Sequence, residues 1–218
     1  MHIDIMGNKM KNLVIVGAGG FGREVLEIVN EINNEEPTWN VLGFIDNNRN
    51  ALDNYDLEVG VLATEAEWQI RGEEKYVIAI ASPTRRKEVA TRLKAKGASF
   101  ATIIAPSVNI GKRTHIGEGV VIFGKTEISI DCKIGDFVFL NALDGIGHDC
   151  IIGNYCTFGP KVCISGATKM GECVNVGALA STYPGVIVED YATIGMNSCA
   201  IKRVKKGTTV VGVPAKKI

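Results

Sequence analysis

The chain has 218 residues, 46% apolar and 22% charged, the balance of a soluble globular protein with length for one or two small cores. Twenty-four basic residues match twenty-four acidic ones, so no net field draws it to nucleic acid or to an anionic membrane, and a small partner is expected. No apolar run approaches the roughly eighteen residues of a bilayer span, and the polar start Met1-His2-Ile3-Asp4 lacks the basic and apolar regions of a signal peptide, so membrane insertion is not expected and a cytoplasmic location is.

Residues before Met10 read as an extended start, because the first periodic segment opens at Lys11. Leu13-Val14-Ile15-Val16 is a β-branched strand; Gly17-Ala18-Gly19-Gly20-Phe21-Gly22 is a tight turn; Arg23 to Ile32 is an amphipathic helix. A second strand, Val41 to Ile45, ends in Asp46, and a third, Tyr76 to Ala81, feeds Ser82-Pro83-Thr84 and a helix rich in Arg and Lys. This alternation predicts a Rossmann-like, doubly wound parallel sheet over residues 11–100. Glycines 17, 19, 20 and 22 let the backbone approach a ligand's phosphates at a helix N-terminus, and Asp46 suits a ribose hydroxyl, so the site is expected to hold a nucleotide. Two other readings stand beside this one: the glycines serve only helix-to-strand packing, or the turn belongs to a dehydrogenase. Nothing after residue 100 suits hydride transfer.

From Ile104 to Ala200, every sixth residue is apolar except Thr182, and nine of these positions are followed directly by glycine. Four residues after each comes a smaller side chain, among them Val108, Thr114, Cys132, Cys150, Cys156 and Val174. A period of six fits neither a helix nor a plain alternating strand; it fits short strands joined by tight turns in a parallel β-helix. Three hexapeptides per triangular turn give between five and six coils over residues 101–218, stacked about 4.8 Å apart. The outer faces of such a solenoid are free for self-association. The six cysteines form no CxxC pair; they read as reduced packing residues, and no metal site is expected.

Gly17-Ala18-Gly19-Gly20-Phe21-Gly22-Arg23-Glu24, Gly43-Phe44-Ile45-Asp46, Leu140-Asn141, Ile146-Gly147-His148-Asp149-Cys150-Ile151-Ile152-Gly153 and Gly212-Val213-Pro214-Ala215-Lys216 carry a resemblance over residues 11 to 218. The chain resembles the sugar acetyltransferases that join a small nucleotide-binding α/β domain to a left-handed β-helix: UDP-4-amino-sugar and perosamine N-acetyltransferases and sialic acid O-acetyltransferases. The resemblance implies the left hand, an exception to right-handed crossovers, and a homotrimer in which acetyl-CoA lies between neighbouring β-helices. It also implies transfer of acetyl to the amino group of a nucleotide-linked 4-amino sugar in bacterial glycan biosynthesis.

Acetyl transfer needs a base, donors for the thioester oxyanion and a groove for the pantetheine arm. His148 follows the inner residue Ile146 by two places, which turns it outward, and an imidazole suits proton transfer near neutrality. The resemblance makes Asp149 the group that orients it and Asn141 a contact to the sugar beside the attacking amine. Backbone amides around Gly166 are the candidate oxyanion donors, the other reading being that Gly166 is only a turn glycine. The basic end formed by Lys202, Arg203, Lys205, Lys206, Lys216 and Lys217 is expected either to pair with CoA phosphates, through Lys202 and Lys216 above all, or to be a solvated face. Cys150 points inward, so direct attack on the thioester without a covalent enzyme intermediate is expected.

Three positions depart from expectation. Phe21 stands where the resembling sequences often carry histidine, Thr157 stands at a place that can be a second active-site histidine, and Asp144 holds a position that calls for a small apolar residue. Three rivals remain: O-acetylation of sialic acid or another sugar hydroxyl, a γ-type carbonic anhydrase, and a non-catalytic nucleotide-sugar-binding trimeric scaffold. The anhydrase falls short, because only His115 and His148 lie in the repeat and three ligands are needed.

Overall fold

The computed structural model describes residues 10–218; the reading of the first nine as an extended, leaderless start lies outside them. The N-terminal sheet is fully parallel. Its strands are β1 (Lys11–Val16), β2 (Trp39–Ile45), β3 (Val61–Ala63), β4 (Glu74–Ile78) and β5 (Ser99–Phe100), in the order β3-β2-β1-β4-β5. β1 is buried on both faces, as its unbroken apolar run requires. Leu13 and Ile15 join one core with α1 (Gly20–Glu35); Val14 and Val16 join another with α2 (Pro83–Ala95). Two strands, β3 and β5, were not read from the sequence, being three and two residues long.

α1 begins at Gly20, inside the glycine turn rather than at Arg23. It is pressed hard against β1: a Cβ on Gly22 would stand 2.0 Å from the Gly17 carbonyl oxygen. Ser82 and Pro83 start α2 as N-cap and first helical residue, with the Ser82 hydroxyl accepting from the Arg85 amide.

The solenoid's first strand is Ile103–Ile104. Its strands are two residues long, and Ile103 lies opposite Val121, eighteen residues on. Three flat faces result, opened by Ile103–Ile104, Asn109–Ile110 and His115–Ile116, with eight, six and five strands respectively. The second face, with six stacked strands, and the third, with five, fix between five and six coils. The register residues fill the prism: Ile128, Ile134, Leu140, Ile146, Ile152, Phe158 and Ile164 are all at most 3% exposed. Ile110 is 41% exposed because no coil lies beneath it.

Cys132, Cys150 and Cys156 are buried and also donate their thiols to carbonyls of the next coil, at Gly147, Ser165 and Gly171. From Ile110 to Ile194, the third residue after each inner register residue adopts a left-handed φ near +60°, even where it is Asp131, Phe137, Leu143 or Asp149. That conformation costs an L-residue about 1–2 kcal/mol, and the coil below compensates it: the Asp149 amide donates to the Ile130 carbonyl and the Ala167 amide to that of His148.

The sheet-and-helix unit sits on the first face. Ile103, Val121 and Phe139, which point outward from that face, share a core with α1, and Phe21 packs against Phe139 with ring centroids 4.1 Å apart. On the other side, Arg86 of α2 is 1% exposed and donates to the carbonyls of Ile80, Ala81, Phe137, Tyr155 and Cys156 and to the Thr157 hydroxyl. Lys87 adds an ion pair to Glu172 at 2.8 Å. Both departures from the histidine pattern, Phe21 and Thr157, are therefore contacts of this seam.

Candidate functional site

His148 and Asp149 lie at the vertex between the second and third faces, in the turn after Gly145–Ile146. The left-handed φ of +59° at Asp149 folds its side chain back on its neighbour, so the adjacent residues do hydrogen-bond: His148 Nδ1 is 2.7 Å from Asp149 Oδ2. Both side chains are more than half exposed. With Nδ1–H donating to the carboxylate, the ring presents Nε2 as the acceptor. Eighteen residues on, Gly166 lies directly over that ring. A Cβ there would stand 2.7 Å from Nε2 and 2.8 Å from Cε1, so only glycine leaves the imidazole its place. The Gly166 amide makes no hydrogen bond among the described residues, whereas its carbonyl accepts from Gly185.

Cys150 follows in the same turn but points into the prism, fully buried, and burial pushes its thiol up to about 11. It is no thiolate nucleophile at neutral pH. A shallow groove of about 660 Å³ runs beside the vertex along the second face, lined by Gly145, Gly147, Cys163 and Ser165 among others.

Asn141 lies at the preceding vertex, between the first and second faces, one face away from the vertex of His148. Its Oδ1 accepts from the Ala142 amide. Asp144, the odd residue of the register, holds that turn from inside: its two oxygens accept from the amides of Asn141 and of Val162 on the next coil. It is 1% exposed, and burial pushes its carboxyl up to about 8.

In the N-terminal unit, a cleft opens at the carboxyl ends of β1 and β2, lined by Gly17, Asp46, Ile80 and Arg85. It is the point where chain order reverses between β1 and β4, the usual ligand position of such sheets. The glycines divide into two kinds. Gly17, with φ +106° and a would-be Cβ 2.7 Å from the Ala79 carbonyl oxygen, and Gly22 are required by packing; Gly19 and Gly20 are exposed, with no neighbour closer than 3.9 Å to a would-be Cβ. Asp46 accepts from the Ala18 amide at 2.7 Å through Oδ2 and from Asn48 through Oδ1, so its carboxylate shapes the turn as well as lining the cleft.

Lys202 stands on the same edge as His148 and Gly166, three coils from His148 by register, or roughly 14 Å at 4.8 Å per coil. It joins Arg203, Lys205 and Lys217 around a cavity of about 350 Å³ whose floor is Ala200, Val204, Val210 and Ala215. Lys216 is not part of it; it pairs with Val211 in the terminal antiparallel strand. Arg86 was missed by sequence reading, since a single arginine in a basic helix carries no mark of burial. Among the described residues, no three His, Cys, Asp or Glu side chains form a metal-binding group, and no helix is long and apolar enough to cross a membrane.

Residues 12–93 match the family model of the PglD N-terminal domain. Over 154 residues the chain is 32% identical to GDP-perosamine N-acetyltransferase of Escherichia coli O157:H7, covering 70% of this chain and 69% of that protein. The fold is that of two solved proteins. The acetyltransferase domain of PglB from Neisseria gonorrhoeae superposes with a TM-score of 0.86 at 22% identity, over 95% of this chain and all of that one. PerB from Caulobacter crescentus, solved with CoA and GDP-perosamine, superposes with a TM-score of 0.83 at 24% identity, over 95% of this chain and 97% of that one. The solenoid is thus the left-handed β-helix of the acetyltransferases.

Proposed function

The chain belongs to the bacterial amino-sugar N-acetyltransferase family that includes GDP-perosamine N-acetyltransferase, and from that premise we propose that it moves acetyl from acetyl-CoA to the amino group of a nucleotide-linked 4-amino sugar, with His148 as base. The observation that carries the assignment is the His148–Asp149 pair at 2.7 Å with Nε2 placed against Gly166. The neutral sugar nitrogen attacks the thioester carbonyl carbon, and Nε2 accepts its proton. The Gly166 amide donates to the developing oxyanion; the C–S bond then breaks and the thiolate takes the proton from Nε2. Asp149 keeps Nδ1 protonated and steadies the imidazolium between those steps.

In this reading residues 11–100 hold the nucleotide sugar, with Gly19, Gly20 and Asp46 at its phosphates and ribose, and residues 101–218 carry out the transfer. Lys202 and its neighbours face the CoA phosphates, Lys216 from the terminal strand. Asn141 serves the sugar at the preceding vertex. The active unit is a homotrimer. The geometry supports association of copies: the nucleotide cleft belongs to the unit seated on the first face, while His148 sits at the vertex opposite that face, so a second chain is needed to bring a sugar nucleotide and this histidine together; the number three follows from the family resemblance alone. A cytoplasmic location is part of this reading, supported by the use of acetyl-CoA as co-substrate.

The test is incubation with acetyl-CoA and a panel of GDP-, UDP- and dTDP-linked 4-amino sugars plus free sialic acid, followed by mass spectrometry, with His148→Ala in parallel. One acetyl gained on a nucleotide amino sugar, and lost in the variant, is the expected result. Transfer to sialic acid alone would move the assignment to O-acetylation; transfer undiminished in His148→Ala would overturn the base.

A further inference from the structure

Thr182, the one polar residue in the six-residue register, is 3% exposed inside the prism, on the coil that follows the Gly166 turn. On the coils before it, the amide after each large inner residue of the second face donates to the next coil's large residue: Gly111 to Ile128, Ser129 to Ile146, Gly147 to Ile164. The Ser165 amide breaks this ladder and donates to the Thr182 hydroxyl at 3.1 Å. Thr168, also fully buried, donates its hydroxyl proton to the Ser165 carbonyl at 2.7 Å and lies 3.0 Å from Thr182 Oγ1. Each hydroxyl has one proton. Since that of Thr168 is on the carbonyl, that of Thr182 goes to Thr168. The bonds close into a ring: Ser165 N–H to Thr182, Thr182 to Thr168, Thr168 back to Ser165 C=O.

The Ser165 carbonyl has a second inner donor, the Cys150 thiol at 3.4 Å, whereas the matching carbonyls of Ser129 and Gly147 each accept one, from Thr114 and Cys132. A trans peptide points its N–H opposite its C=O. With the Ser165 carbonyl held from inside by two groups, the N–H of the same peptide, that of Gly166, is turned out of the prism, on the edge where the His148 ring lies against Gly166.

We propose that Thr182 and Thr168 are positioning residues for acetyl transfer: their hydroxyl ring fixes the Ser165–Gly166 peptide so that its amide meets the oxyanion formed beside His148. This deepens the acetyl-transfer reading and rests on it. It also explains why the register is broken at this one coil. An apolar residue at 182 would return the Ser165 amide to the ladder, shifting the Ile164–Ser165 peptide, and leave the Thr168 hydroxyl without the donor that holds it against the Ser165 carbonyl.

The experiment compares Thr182→Val, which has the same shape without the hydroxyl, with Thr182→Ser, which keeps it. Thr182→Val is expected to melt no lower than wild type and to hold KM for acetyl-CoA within about twofold, while kcat falls about tenfold or more, since losing an oxyanion donor outright costs about 10²–10³. Thr182→Ser is expected to restore kcat. A kcat in Thr182→Val within about twofold of wild type overturns the proposal. The Gly166 amide resonance, followed by NMR in the same variants, is independent of turnover: displaced in Thr182→Val and restored in Thr182→Ser supports the ring's role, and an unmoved resonance refutes it. Wild-type protein inactive on every amino sugar would sink the acetyl-transfer reading instead, leaving the resonance to decide the peptide's orientation.

Discussion

Adding one methyl group at Gly166 separates the demands of the fold from those of the site. The Cβ of Gly166→Ala would stand 2.7 Å from His148 Nε2, where ordinary contact begins at 3.4 Å. The ring must therefore retreat by roughly 0.7 Å or swing away, and swinging breaks its bond to Asp149; a displacement near 1 Å from productive geometry costs on the order of 10²-fold in rate. At about 1.36 kcal/mol per decade, that is roughly 2.7 kcal/mol of barrier. The backbone bears little of this load, because Gly166 does not use a left-handed φ and the crowded atoms belong to an exposed side chain. Replacing glycine by alanine also narrows the unfolded ensemble, by about 0.4–1 kcal/mol. The variant should therefore melt at or slightly above the wild-type temperature while kcat, followed by CoA release, drops about a hundredfold. A folded Gly166→Ala protein with wild-type kcat would refute the placement of the chemistry at this histidine edge.

Two further outcomes test the frame around the site. Arg86→Met removes the donor from six carbonyl and hydroxyl acceptors at the seam; recovering the burial cost of the charge, which now holds the guanidinium down near 10, does not offset this, and a loss on the order of 3 kcal/mol should appear in the urea midpoint. An unchanged midpoint would mean that the carbonyls find other donors. Asp144 has a folded pKa of about 8, raised by burial from the ordinary carboxylate value. Between about pH 4 and 8 it keeps a proton that the unfolded chain has lost, so its contribution is complete below pH 4 and declines as pH rises through 8, by a few kcal/mol in all. Asp144→Asn should flatten the dependence of melting temperature on pH across that window, and a slope as steep as wild type would place the proton elsewhere.

The six-residue spacing of large apolar side chains dictates the prism, because only a coil of three short strands puts every sixth residue on an inner face. The alternation of β-branched runs with helices likewise dictates the parallel sheet. His148 was legible as well: two places after an inner isoleucine, a side chain must leave the prism. Three matters were decided only in three dimensions. Which glycines are packing and which are open depends on contacts from β4 to Gly17 and from Gly17 to Gly22, which sequence order hides. The His148–Asp149 bond depends on a left-handed residue that the coil below, through Ile130, stabilises. The meaning of Thr182 depends on Thr168 and Ser165, one coil before it in the stack. Periodicity records what each residue does relative to its own strand, whereas a stacked solenoid sets its chemistry between residues eighteen apart, where only the coiled chain makes them neighbours.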